Sequence, residues 1–329
     1  MMRLESVAVI GGGAWGTALA QAAVMAGRRT TLVVRNAAQA EAINRSHINA
    51  AALPDFALLP GVEAAHEVPD ADIVILAVPA QATRTLLTGL DPALLAGKPV
   101  VLSAKGLEAG TLARQSEILA DMAPEAVGFV LSGPSFAADV AAGRPTAVTL
   151  AGDDADLTSA LAAALAGPSF RPYAADDRIG AEVAGALKNV YALACGAVEG
   201  AGLGASARAA LIARGYAEMA RMVTAMGGSA HTLTGLAGLG DLTLTCTSSQ
   251  SRNYQFGMAL GAGRRTGDIL ASGAKLAEGV ATAPVAAALA RSLGVEAPLI
   301  DAVDAVVAGK ADIATILAGL MSRPLKREA

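Results

Sequence analysis

The chain has 329 residues, enough for two domains with a core each. Its 25 basic and 29 acidic side chains leave a net charge of −4, and with only 3% aromatic residues this argues against a nucleic-acid partner. Hydrophobic residues reach 53%, much of it alanine, but no uncharged apolar stretch attains the ~18–20 residues that span a bilayer. The opening residues, MMRLESVAVIGGG, lack the basic, apolar and small-residue regions of a signal peptide. Two cysteines, Cys195 and Cys246, make no disulfide framework, and no Cys/His spacing suggests zinc. These features predict a soluble protein of a reducing compartment, the cytoplasm.

In chain order, short apolar or β-branched runs occur at 6–10, 30–34, 72–78, 99–103 and 127–132, with a weaker one at 147–151 and a last at 169–174. Alanine- and leucine-rich stretches of helical length lie between them, such as Trp15–Ala26 and Leu112–Met122. Continuous apolar strands alternating with helices predict a parallel sheet covered on both faces, with 169–174 as an edge strand. After Asp177 the strand signal stops. Helical patterns follow at Ala181–Val198, Ser206–Ala225, Arg252–Leu260, Ala283–Ser292, Leu299–Ala308 and Ala311–Leu320. The expected organisation is an α/β domain over 1–178 and an all-α domain over 179–329.

Between the first strand and first helix stands Gly11-x-Gly13-x-x-Gly16. A lone match of this kind is weak, but strand, glycine turn, helix and second strand in that order mark a Rossmann-type dinucleotide site. The turn is tight, the pyrophosphate must approach bare backbone, and the helix N-terminus supplies N–H donors. At the end of the second strand an NAD-only site usually carries Asp or Glu for the ribose 2′-hydroxyl. Here the residues are Val33-Val34-Arg35-Asn36, with no acid before Glu41. Arg35 is either a solvated loop residue or a partner for a 2′-phosphate or the adenine, so the site is read as accepting NADP(H) as well as NAD(H).

Ligands of open parallel sheets bind beyond the carboxyl ends of the strands. Two such ends run into Ala104-Lys105-Gly106 and Gly133-Pro134-Ser135-Phe136. Lys105 is thus a rim residue, against the default of a solvated loop lysine. Lys188 lies in the largely apolar stretch 183–198, with no acid three or four residues away. It either snorkels to water or is buried with its pKa lowered into general-base range. His47, His66 and His231 stand at no strand end and in no glycine-flanked motif, and are read as structural or surface residues. Asp241, in Gly238-LGDLTLTC, is either a turn residue in a tight loop or a carboxylate orienting Lys188. In Thr247-SSQSRN, Ser251 suits the cap of a helix beginning at Arg252; hydroxyls, an Arg and a helix N-terminus form a phosphate site, or simply a polar loop.

Together these segments resemble the bacterial NAD(P)-dependent glycerol-3-phosphate dehydrogenases. The resemblance rests on GGGAWGTALA at 11–20, SAKGLE at 103–108, SGPSFA at 132–137, ALKNVYA at 186–192, GLGDL at 238–242, QSRN at 250–253 and AEG at 277–279. It implies hydride transfer between sn-glycerol 3-phosphate and dihydroxyacetone phosphate, serving phospholipid synthesis. It implies Lys188 as proton acceptor, Lys105 touching substrate and cofactor, and Gly133 and Ser135 lining the substrate site. Asp241, Ser251, Arg252 and Asn253 would complete that site, Arg252 also touching cofactor. Gly11, Gly13, Ala14, Trp15, Gly16, Arg35, Ala137, Leu276 and Glu278 would contact the cofactor; many relatives have Ser where this chain has Ala14. The all-α part would be 6-phosphogluconate dehydrogenase C-terminal-like and support a homodimer. Two other readings keep the Rossmann site: a β-hydroxyacid or 6-phosphogluconate-type dehydrogenase, and a non-catalytic NAD(P)H sensor. The SRN cluster and GLGDL loop favour glycerol phosphate over the first, and the coexistence of Lys105 and Lys188 disfavours the second.

Overall fold

The computed structural model describes residues 3–273, 277–322 and 324. Eight strands form one sheet: β1 (Ser6–Ile10), β2 (Arg29–Val33), β3 (Val62–Ala65), β4 (Ile73–Leu76), β5 (Pro99–Leu102), β6 (Val127–Ser132), β7 (Thr146–Ala151) and β8 (Phe170–Ala175). Their spatial order is β3-β2-β1-β4-β5-β6-β7-β8. The order reverses between β1 and β4, and the ends of strands at such a reversal are where open α/β sheets bind their ligands. The helices among them are α1 (Ala14–Met25), α2 (Ala37–Ser46), α3 (Thr83–Thr88), α4 (Gln115–Met122), α5 (Ala137–Ala141) and α6 (Ala155–Leu165). One apolar cluster joins α1, α2, α5 and α6 to one face, with Val9, Leu32 and Ile75 inside it; another joins α3 and α4 to the opposite face through Val74, Leu76 and Val100. Burial on both faces explains why β4 and β5 read as unbroken apolar runs.

The sheet differs from the expected one in two respects. It is mixed rather than wholly parallel, because β7 pairs antiparallel with β6, while β7 and β8 run parallel around α6. Buried strands of either direction carry the same apolar pattern, so composition left the direction open. Between β6 and β7 the only helix is the five-residue α5, which packs on α1 instead of carrying the chain back across the sheet. The strand β3, Val62-EAA, had no apolar run to announce it. It lies at the sheet edge, alternates buried and exposed positions, and contains two alanines of low strand preference.

Beyond β8 every described element is helical: α7 (Arg178–Gly200), α8 (Ala205–Ala225), α9 (Asp241–Thr247), α10 (Arg252–Gly261), α11 (Thr266–Ala271), α12 (Glu278–Ser292), α13 (Pro298–Val307) and α14 (Ile313–Met321). No helix among the described residues is long and apolar enough to cross a membrane. The axis of this half is α7, whose N-terminus is capped by Asp177 accepting from the Gly180 N–H at 2.8 Å. Against it lies α10 at backbone contact. A Cβ on Gly196 would stand 2.1 Å from the Tyr254 carbonyl oxygen, and one on Gly257 2.2 Å from that of Leu193. This approach brings the start of α10 beside the middle of α7. Gly257→Ala is therefore expected to force the helices apart at a cost of about 1–3 kcal/mol. Thermal unfolding measures it, and an unchanged midpoint would contradict such close packing.

Candidate active site

Past Leu102, the Ser103 hydroxyl donates to the Leu76 carbonyl at 2.8 Å and starts the loop that carries Lys105. Gln115, fully buried at the start of α4, donates to the Gly106 carbonyl at 3.0 Å and closes it. Past β6, Gly133 has φ +145°, and a Cβ there would stand 2.9 Å from the Val148 Cα, so only glycine fits. From the helical half, α7 supplies Lys188. Asp241 sits not in a loop, as its glycine-rich surroundings suggest, but at the first position of α9. The single π-helical turn Leu236–Gly240 leads into it, packed so closely on the residues before it that a Cβ on Gly238 would lie 2.2 Å from the Leu233 carbonyl oxygen.

These groups meet at one point. The Lys188 Nζ donates to Asp241 Oδ1, and to Thr245 Oγ1 at 2.9 Å. The Lys105 Nζ donates to Asp241 Oδ2 at 2.7 Å and to the Gly133 carbonyl at 3.1 Å. Asp241 is completely buried and Lys188 is 6% exposed. Burial opposes ionisation of Asp241, yet the Lys105 and Lys188 ammonium charges outweigh it and hold its carboxyl below the usual range. Burial likewise disfavours the Lys188 ammonium. The Asp241 charge offsets this in part, Lys105 adds to it, and the pKa falls to about 8. A lysine with that pKa can both take up and release a proton near neutral pH.

A second set of contacts joins the same point to α10 and α12. The Asn189 Nδ2 donates to the Lys105 carbonyl at 3.1 Å, the Asn253 Nδ2 to Asn189 Oδ1 at 2.8 Å, and the Gly279 N–H to Asn253 Oδ1 at 2.8 Å. Ser251 caps α10 by accepting from the Tyr254 N–H at 3.2 Å, which leaves Arg252 exposed at the helix N-terminus. Burial raises the pKa of Glu278, while Arg252, Lys105 and Lys188 counter it, which places all four charges within electrostatic reach. Ser135 turns back, its Oγ donating to the Gly133 carbonyl at 3.0 Å.

The glycine turn stands beyond the ends of β1 and β4. Gly11 has φ +126°, and a Cβ on it would lie 2.5 Å from the Ala77 carbonyl oxygen; one on Gly16 would lie 2.0 Å from the Gly11 carbonyl oxygen. At Gly13 a Cβ would meet nothing within 4 Å. Ala14 opens α1, and the buried Trp15 Nε1 beside it has no partner. Bare backbone at a helix N-terminus, open space and an unpaired donor fit a dinucleotide pyrophosphate. Arg35 is exposed just past β2, and Ala137 begins α5. Leu276 lies outside the described residues.

Sequence models of one family cover both halves: the N-terminal part of NAD-dependent glycerol-3-phosphate dehydrogenase matches residues 6–158 and its C-terminal part residues 177–318. The chain belongs to this family. It is 51% identical to a glycerol-3-phosphate dehydrogenase [NAD(P)+] of Caulobacter vibrioides over the whole of both chains. Its fold is similar to the crystal structure of glycerol-3-phosphate dehydrogenase from Coxiella burnetii, with TM-score 0.91, 35% identity and coverage of 98% of this chain and 100% of that one. The yeast (Saccharomyces cerevisiae) glycerol-3-phosphate dehydrogenase aligns at TM-score 0.81 and 25% identity, over 97% and 99% of the two chains.

Within this family fold, two side chains at the junction are not singled out by the sequence. Thr245 lies one helical turn past Asp241, a relation that a loop around Asp241 would not produce. Asn189 follows Lys188 directly, and a second polar side chain inside an apolar stretch is the signal in the sequence that points to it.

Proposed function

We propose that this chain interconverts sn-glycerol 3-phosphate and dihydroxyacetone phosphate with NADP(H) or NAD(H), supplying glycerophospholipid synthesis. The observation that carries the reading is the buried Lys188–Asp241–Lys105 junction, joined through Asn189 and Asn253 to the first turn of α10. When bound, the nicotinamide ring takes up or delivers the hydride. Gly11, Gly13, Ala14, Trp15 and Gly16 hold the pyrophosphate end, Arg35 meets the adenosine end, and Ala137 and Glu278 flank the remainder. Ser251, Arg252 and Asn253 hold the substrate phosphate on the α10 N-terminus. Gly133, Ser135 and Lys105 line the carbon skeleton. Lys188, neutral, takes the proton of the secondary hydroxyl during oxidation; as an ammonium it returns that proton during reduction. Asp241 and Thr245 fix the Nζ in place.

The first test is oxidation of NADPH and NADH, followed at 340 nm, with dihydroxyacetone phosphate and with unphosphorylated dihydroxyacetone as control. Turnover with the phosphate ester alone is expected, and the ratio of the two rates measures the role of Arg35. Tight cofactor binding with no turnover would sink the reading. Arg252→Ala is expected to weaken substrate binding by about 1.5–3 kcal/mol, the range for a lost charge-assisted hydrogen bond. An unchanged KM for the phosphate ester would place the phosphate elsewhere.

The domain division at 178 and a homodimer in the cytoplasm belong to the same proposal. The helical half offers a second copy an apolar groove of about 970 Å³, walled by Leu193, Leu211, Leu299, Val303 and Leu317. Light scattering at twice the mass of the chain is the expected result.

A further inference from the structure

Residues 47–58 join α2 to the segment before β3 and belong to no motif, yet they send a polar side chain beneath the glycine turn. Asn49 is 1% exposed. Its Nδ2 donates to the Gly12 carbonyl at 2.9 Å and to Thr17 Oγ1 at 2.8 Å, so both amide hydrogens are spent on the turn and the helix that follows it. The side chain is itself held firmly. Its own backbone carbonyl accepts from the Ala52 and Leu53 N–H groups at 3.0 and 2.8 Å, the Leu58 N–H donates to the His47 carbonyl at 2.7 Å, and Leu53 and Leu58 are buried. On its other side, Gly12 abuts the end of β2, where a Cβ would stand 2.6 Å from Val34 Cγ1.

We propose that Asn49 is a positioning residue for the dinucleotide, setting the plane of the Gly12–Gly13 peptide and thereby aiming the Gly13 N–H at the pyrophosphate. The inference rests on the dinucleotide reading of the site given above. In a trans peptide the C=O and N–H point to opposite sides, so tying the Gly12 oxygen to Asn49 fixes the direction of the Gly13 donor. Gly13 is also the N-cap of α1, where the N–H groups of the first turn have no intrahelical acceptor and are free for an anion. Asparagine suits the task because a carbonyl and a hydroxyl oxygen both accept from its amide. An aspartate of the same shape would set a carboxylate against the Gly12 oxygen and add negative charge beneath the phosphates. An alanine would leave the Gly12 and Thr17 oxygens unpaired.

The pyrophosphate is common to NADPH and NADH, whereas the 2′-phosphate belongs to NADPH alone. Asn49 therefore acts on the two cofactors equally, in contrast to Arg35. The test is binding of each cofactor to the purified apoenzyme, read from the fluorescence of Trp15, the single tryptophan of the chain, and by calorimetry. In Asn49→Ala, Kd for NADPH and for NADH rises about tenfold, in keeping with one lost hydrogen bond to a buried acceptor. The ratio of the two Kd values stays as in the parent protein, and adenosine 2′-monophosphate, which lacks the pyrophosphate, binds unchanged. Asn49→Asp, equal in volume, keeps the core filled should the alanine variant fail to fold, and its loss is at least as large. A variant that melts earlier but binds both dinucleotides as tightly as the parent would make Asn49 merely structural and overturn the proposal. A loss confined to NADPH would overturn it too. Failure of the parent protein to bind either dinucleotide would instead overturn the cofactor reading, and this inference with it.

Discussion

Replacing Lys188 with alanine is expected to lower the maximal rate of glycerol 3-phosphate oxidation by roughly 10²–10⁴-fold, the range for a positioned acid–base group. Substrate binding suffers less, because Lys105 and the α10 N-terminus remain. The pH dependence carries the same signature with a definite sign. With Lys188 in the proposed role of proton acceptor, oxidation needs it neutral; its pKa is lowered to about 8 chiefly by burial, so the oxidation rate should rise as pH passes upward through about 8. Reduction needs the ammonium and falls over the same window. Rate profiles in both directions, with the variant beside the parent, test this. A folded K188A enzyme with full activity would remove Lys188 from the mechanism.

Asp241→Asn is the second large effect, expected in stability as well as rate. Asparagine fits the space but leaves the Lys105 and Lys188 ammonium groups facing each other without the carboxylate to which both donate. Breaking a buried ion pair in this way costs about 3–5 kcal/mol. Part of that is relieved when Lys188 sheds its proton, so the stability deficit should shrink as pH rises from 7 to 9. In the parent protein the Asp241 pKa is depressed, and its contribution is present above the ordinary carboxylate range and lost as pH falls through the depressed value. Thermal melts of both apoenzymes at pH 7 and pH 9 measure the difference, and equal midpoints would deny the junction its weight. Activity should fall by about 10³-fold, because neither lysine keeps its place.

Much of this site was legible along the chain. The glycine turn, Lys105 and Gly133 stand at strand ends, and strand ends in an α/β sheet are where ligands gather. Lys188 is conspicuous as the one charge in the apolar stretch 183–198, and Ser251 as a helix cap. The edge strand at 170–175 and the long helices from Arg178 onward also match their patterns to within a few residues. Other features were not legible. The antiparallel turn of β7 leaves no mark on composition, and β3 is too short and too rich in alanine to announce itself. The π-helical turn before Asp241 reads as a loop, because three glycines in seven residues suit a loop equally well. Asn49 lies 37 residues from Gly12, and no local rule connects them.

The sequence by itself determined the class of chemistry: a bare-backbone turn for a dinucleotide, two lysines, a carboxylate and a helix N-terminus with an arginine. Those depend on residue type and on local periodicity, which a chain carries wherever it goes. The tertiary structure alone decided that Asp241 serves both lysines at once, that Asn253 and Asn189 connect α10 and α12 to the Lys105 loop, and that burial lowers the Lys188 pKa to about 8. The physical reason is that a pKa and an ion pair are set by distance and burial in space, and those follow from how α7, α9 and the sheet pack together.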